Sequence, residues 1–140
     1  MILSILFAGV VAVAFGVLFN VRGKNLFLAG LNGLIGFAVF SAMVHMGTAS
    51  YIAVFLASVA MAAYAEIAAR IRKTPTSLFL VAALIPIVPG GGIFQFVLHL
   101  LQDGMEQAAS VGIITLMETG AIAIGVILVS SIIRVVPRRR

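Results

Sequence analysis

Cysteine and tryptophan are absent from this 140-residue chain, and charge is scarce, with 9% of residues being Asp, Glu, Lys or Arg. Without cysteine there is no disulfide framework, no thiol nucleophile and no thiolate metal site. Two histidines, His45 and His99, do not make a zinc site by themselves, so neither a metal nor a cofactor is expected. Serines and threonines are scattered without a basic partner nearby. Gly90–Gly92 is not followed by Lys-Ser/Thr, so no phosphate loop is present. No catalytic residue is nominated, and an enzyme is not expected because the paired groups of acid–base chemistry are missing.

What fills the sequence is apolar: 63% hydrophobic residues and a mean hydropathy of +1.26. A soluble domain of this size has no use for so much apolar surface, so the chain reads as an all-α integral membrane protein, one domain over 1–140. The net charge of +5 does not argue for nucleic acid, because every basic residue flanks an apolar span and no basic soluble module accompanies them.

Five spans are expected, at about 1–19, 26–45, 48–65, 76–101 and 108–133. The first lacks a basic segment ahead of it and is followed by Arg22 and Lys24, which fits a span better than a signal peptide. Small residues recur at helical spacing: Gly9, Ala12, Gly16 and Asn20 in the first span, and Ala49, Ala53, Ala57 and Ala60 in the third. Gly30, Gly33 and Gly36, with Asn32 beside them, lie in the second. Such faces let helices cross closely, and in the second span they also leave room for a substrate against the backbone. Glu66 and Arg70 are placed to pair in the charged turn closing the third span. Thr74-Pro75 reads as an N-cap and first helical residue opening the fourth.

The fourth span carries Pro86-Ile87-Val88-Pro89-Gly90-Gly91-Gly92. The expectation is a half-helix to about Ile87, an unwound piece Val88–Gly92 and a second half-helix Ile93–Leu101. Lipid cannot satisfy the amides and carbonyls that such a break frees, so it must be buried in protein or line a wet cavity. A test of the break comes from charge. Five crossings with the N-terminus out and the C-terminus in put all nine basic residues inside: Arg22 and Lys24; Arg70, Arg72 and Lys73; Arg134 and Arg138–Arg140. A re-entrant fourth segment would flip the last span and expose its four arginines outside.

The break is the leading candidate site. Amides at the start of its second half-helix suit a carboxylate, by hydrogen bonding and by the helix dipole. Pro86, Pro89, Gly90, Gly91 and Gly92 are nominated as substrate-binding, with Gln95 lining the cavity and His99 at its outer mouth. A packing kink without ligand is the other reading. Glu118 is the one ionisable residue deep in an apolar span; it is expected to face the bundle, with Thr115, Ala121 and Gly125 on its side. It serves either proton coupling or a structural hydrogen bond.

Taken together, Phe19-Asn20-Val21, Phe55-Leu56-Ala57-Ser58, Thr74-Pro75 and the run Phe79–Gly90 with its Ile85-Pro86…Pro89-Gly90 core give a pattern across nearly the whole chain. It resembles the small subunit, or C-terminal half, of the bacterial threonine/serine exporter family. The resemblance implies export of threonine and serine or of dicarboxylates such as succinate across the bacterial inner membrane. It also implies a larger membrane subunit of the same family as partner, with a higher oligomer allowed. Gly91, Gly92 and Glu118 lie outside the matched core. The alternative is a scaffold subunit that assembles a membrane complex without transporting. An odd span count would let a partner half insert in the opposite sense, as inverted-repeat transporters do.

Overall fold

A computed structural model describes residues 1–102 and 104–135, and the described residues are helical throughout, with short turns between the helices. The Arg138–Arg140 tail, Pro137 and Asp103 lie outside them. Helices α1 (Ile2–Leu18) and α2 (Lys24–His45) form an antiparallel hairpin. Its seam is the small-residue face anticipated above. Gly33 rests on Ala12 and the Ala8 carbonyl, Gly30 on Val13, and Gly9 on Leu34. Asn20 leaves that stripe to form the turn, at φ 59°. Helix α3 (Ser50–Arg72) returns antiparallel to α2, where Gly36 leaves room for Met61. Ala53, Ala57, Ala62, Ala65, Ala68 and Ala69 of α3 are all buried, so side chains too small to hold helices apart fill the centre.

Helix α4 (Ser77–Leu84) packs against α1, α2 and α3, with Phe79 fully buried among them. Asn32 of α2, also fully buried, donates from Nδ2 to the Phe79 carbonyl at 3.1 Å. The expected Thr74 cap is corrected here. Helix α4 starts at Ser77, and the Thr74 hydroxyl has no partner among the described residues. The reason is that Thr74 belongs to the end of α3: Lys73 is left-handed at φ 54°, and the Thr74 amide donates back to the Ala69 carbonyl.

A single 3₁₀ turn, Ile85–Ile87, leads to α5 (Gly90–Gln102), and Gly104 at φ 92° turns the chain into α6 (Met105–Val135). Glu106 therefore sits in the first turn of α6, where the helix dipole favours an anion. Helix α6 runs parallel to α3: Gly125 meets Ser58 and the Phe55 carbonyl, and further along Arg70 Nη2 donates to the Ile133 carbonyl at 2.8 Å.

Those contacts fix the ends of the molecule. Arg72 Nε donates to Asn25 Oδ1 at 2.9 Å, which joins the end of α3 to the start of α2. With the Arg70–Ile133 bond, this gathers Arg22, Lys24, Arg70, Arg72, Lys73 and Arg134 at one end. The 31 residues of α6 extend roughly 46 Å from there. Its start, and with it the end of α5, therefore lies at the opposite end. The segment α4–α5 accordingly advances from the basic end to the other, bent by 44° at its break rather than folded back on itself. Three helices, α2, α3 and α6, are long and apolar enough to cross a membrane unaided; the bent pair makes a fourth if its two helices act as one span, and α1 is shorter at 17 residues.

Candidate site at the bent crossing

The break is enforced by proline. Pro86 lacks the N–H that the Ala82 carbonyl would take in a continuing α-helix, and the chain tightens into the 3₁₀ turn. Val88 precedes a second proline, which disfavours helical geometry, and it is extended at φ −62°, ψ 132°. The glycines behave otherwise than expected. Val88–Gly92 is not all unwound: α5 begins at Gly90, so all three glycines form its first turn. The physical reason is that first-turn amides have no intrahelical acceptor in any case, so the poor helix propensity of glycine costs least there.

That first turn presents donors. The Gly90 amide bonds to the Val88 carbonyl at 2.7 Å and the Ile93 amide to the Pro89 carbonyl at 3.2 Å. The amides of Gly91 and Gly92 between them have no backbone acceptor among the described residues. Two N–H groups without a backbone acceptor among the described residues, and a positive dipole end, thus stand at the bend of the apolar α4–α5 pair.

The structure divides the glycines. A side chain at Gly92 would run into Thr115 of α6, so Gly92 is a packing residue. Gly90 and Gly91 have open space where a Cβ would go, and among the described residues no neighbour requires them to be small. One turn on, Gln95 is exposed, and Phe96 seats against Gly112 of α6. His99 is half-buried one turn further toward the non-basic end. His45 is exposed where α2 ends.

Glu118 lies on the α6 face that runs Thr115, Glu118, Ile122, Gly125, Val129, at helical spacing. Thr115, Gly125 and Val129 are buried, and Glu118 and Ile122 are half-buried. Glu118 therefore occupies the turn between the Gly92–Thr115 contact with α5 and the Ser58–Gly125 contact with α3. Thr115 and Thr119 both bond back to carbonyls four residues earlier, at 2.8 Å and 2.9 Å, so neither hydroxyl proton is free for the carboxylate. Ala121, expected on this side, instead lines an apolar groove of about 440 Å³ between α3 and α6, with Phe55 and Ile124. A second apolar groove, of about 350 Å³, lies outside the α1–α2 hairpin, and a third, of about 310 Å³, lies between the end of α1 and the start of α4. Pro86–Gly92 and Gln95 line none of the three. Among the described residues no three His, Asp or Glu side chains converge as a metal centre.

The Asn32 bond to α4 and the seat of Ser58 under Gly125 are not legible in the sequence. Both residues are polar and lie amid small ones, which is a signal for close packing but not for which helix receives them.

The model of the family described as "Threonine/Serine exporter, ThrE" matches residues 4–132. No match was found among curated proteins or among solved structures. The family match takes in the α1–α2 hairpin, both halves of the bent crossing and Glu118, and several helices are apolar enough to span a bilayer. This multi-pass membrane protein belongs to the threonine/serine exporter family, a family of transporters.

Proposed function

We propose that the chain is the small subunit of a two-component secondary exporter that moves small polar carboxylate metabolites, threonine and serine or dicarboxylates such as succinate, out of a bacterial cell. In this reading it crosses the inner membrane five times, α1 included and α4–α5 counted once, with the basic end inside. A larger subunit of the same family completes the transporter, alone or in a higher oligomer. The substrate carboxylate docks on the first turn of α5, at Gly90 and Gly91, with Gln95 beside it and Pro86 and Pro89 holding the turn open. Glu118 takes up and releases the coupling proton.

One observation carries the reading: the Gly91 and Gly92 amides lack backbone acceptors among the described residues, and Gly92 packs on Thr115, one helical turn from the half-buried Glu118. Unpaired donors there call for an anion or a partner backbone. The scaffold reading draws on a different fact, that α5 buries none of its residues within this chain. Efflux of threonine, serine and succinate from cells making both subunits separates the two. Under the transport reading, Pro89→Ala lowers efflux while the subunits still co-purify. Unchanged efflux in associated complexes points to the scaffold.

A further inference from the structure

Away from the bent crossing, the most one-sided feature is the basic end. Six described basic residues collect there against one acidic residue, Glu66, which stands on α3 one turn before Arg70. Two of the six are committed to holding helices together: Arg70 to the Ile133 carbonyl and Arg72 to Asn25. Three are not. Arg22 uses Nε on Asn20 Oδ1 at 2.8 Å, which braces the guanidinium and leaves its terminal N–H groups outward. Lys24 and Lys73 are exposed.

Arg22 and Lys73 adjoin, along the chain, residues that line the groove between α1 and α4. Phe19 and Val21 form one wall and Leu78, Val81 and Ala82 the other, with Pro75 and Ser77 toward the basic end. Arg22 follows Val21 directly, and Lys73 lies two residues before Pro75. The groove is thus walled mainly by apolar side chains, with exposed basic residues next to it in the chain at the basic end. Its apolar walls give a free inorganic anion nothing to bind.

We propose that this groove holds one anionic phospholipid of the adjoining leaflet. An acyl chain lies along Phe19, Leu78 and Val81, and the phosphate is held by Arg22, Lys24 and Lys73. The lipid would brace the start of α4, the half of the bent crossing that stays fixed in the bundle.

Native mass spectrometry of the full chain, purified in detergent, tests this with phosphatidylglycerol, phosphatidylcholine and inorganic phosphate as probes. One phosphatidylglycerol should be retained and phosphatidylcholine released, with phosphate unable to displace the lipid. Each basic residue near a membrane surface contributes about a fivefold gain in anionic-lipid affinity, so Arg22→Gln with Lys73→Gln should weaken retention about 25-fold. Val81→Trp, at a half-exposed position, should fill the groove and abolish retention with lipid-free thermal unfolding unchanged. Equal retention of both lipids, displacement by phosphate, or full retention in the Arg22/Lys73 double variant would overturn the proposal. These two substitutions are on the surface, so they decide the matter even if the tryptophan variant does not fold.

Discussion

The two halves of the bent pair differ in composition, α4 being wholly apolar but for Ser77 and α5 carrying Gln95, His99 and Gln102, and they are differently housed. Of the eight residues of α4, four are buried; of the thirteen of α5, none is. Helix α4 is wedged among α1, α2 and α3, while α5 leaves the bundle at the 44° bend and takes α6 as its packing partner. The difference shows where this chain is finished and where it is not. The α1–α4 bundle fills its interior with alanine, glycine and one fully buried phenylalanine, leaving Asn32 Oδ1, Tyr64 OH and Thr74 Oγ1 as its buried atoms without a partner among the described residues. The α5–α6 arm leaves a first turn with unpaired amides, two glycines that nothing crowds, and a half-buried carboxylate. In a transporter family, the finished half is suited to act as the frame and the open half to meet substrate or partner.

Substitutions that place the same side chain in both halves should break the symmetry between them. The largest effect is expected in the bundle. Gly36→Leu drives a side chain into Met61 between α2 and α3 and should cost at least about 3 kcal/mol, read as loss of folded protein or a sharp fall in thermal unfolding temperature. The same change at Gly91 meets nothing in this chain, so its stability should stay within about 0.5 kcal/mol of the parent. Efflux, measured with the partner subunit present, should nevertheless fall to background. If Gly91→Leu exports at the parental rate, the first turn of α5 is not the substrate site. Between them lies Gly92→Leu, which should lose stability by about 1–3 kcal/mol through its clash with Thr115.

Glu118→Gln keeps the shape and hydrogen-bonding reach of the side chain and removes its titration. Folding should be little altered, whereas efflux driven by an imposed pH gradient should collapse toward the rate of passive exchange. Preserved gradient-driven efflux would assign Glu118 to structure. The smallest effect is expected at Asn32→Leu. The Phe79 carbonyl loses its second donor, but the unpartnered Asn32 Oδ1 also disappears, so the net cost should be near ~0.6 kcal/mol. A larger loss would show that the Asn32 bond is what keeps α4 in the bundle.

Much of this was legible in the residues. Glycine and alanine at helical spacing announced the crossings of α1 with α2 and of α2 with α3, because close approach between apolar helices has few other routes. Two prolines three residues apart announced the break, since a missing N–H and the restricted residue before proline act locally. The charge pattern, too, anticipated that the basic loops share an end. Less legible was the fate of the triple glycine. Propensity places it in an unwound loop, but the penalty depends on where in a helix the glycine falls, and Val88-Pro89 had already set the start of α5. The burial of Ser58 against Gly125 and the reach of Asn32 to α4 join residues 67 and 47 positions apart, and no local rule pairs them.

By itself, then, the sequence determined that the chain is helical, apolar and bent at Pro86–Pro89, because backbone hydrogen bonding and proline geometry operate within a few residues. Only the tertiary structure decided which half of the bent crossing is held and which is open, which of three adjacent glycines packs and which two stand clear, and that Glu118 falls in the turn between two helix contacts. Those outcomes depend on which small faces meet across the bundle, and that is fixed by the packing of all the helices together.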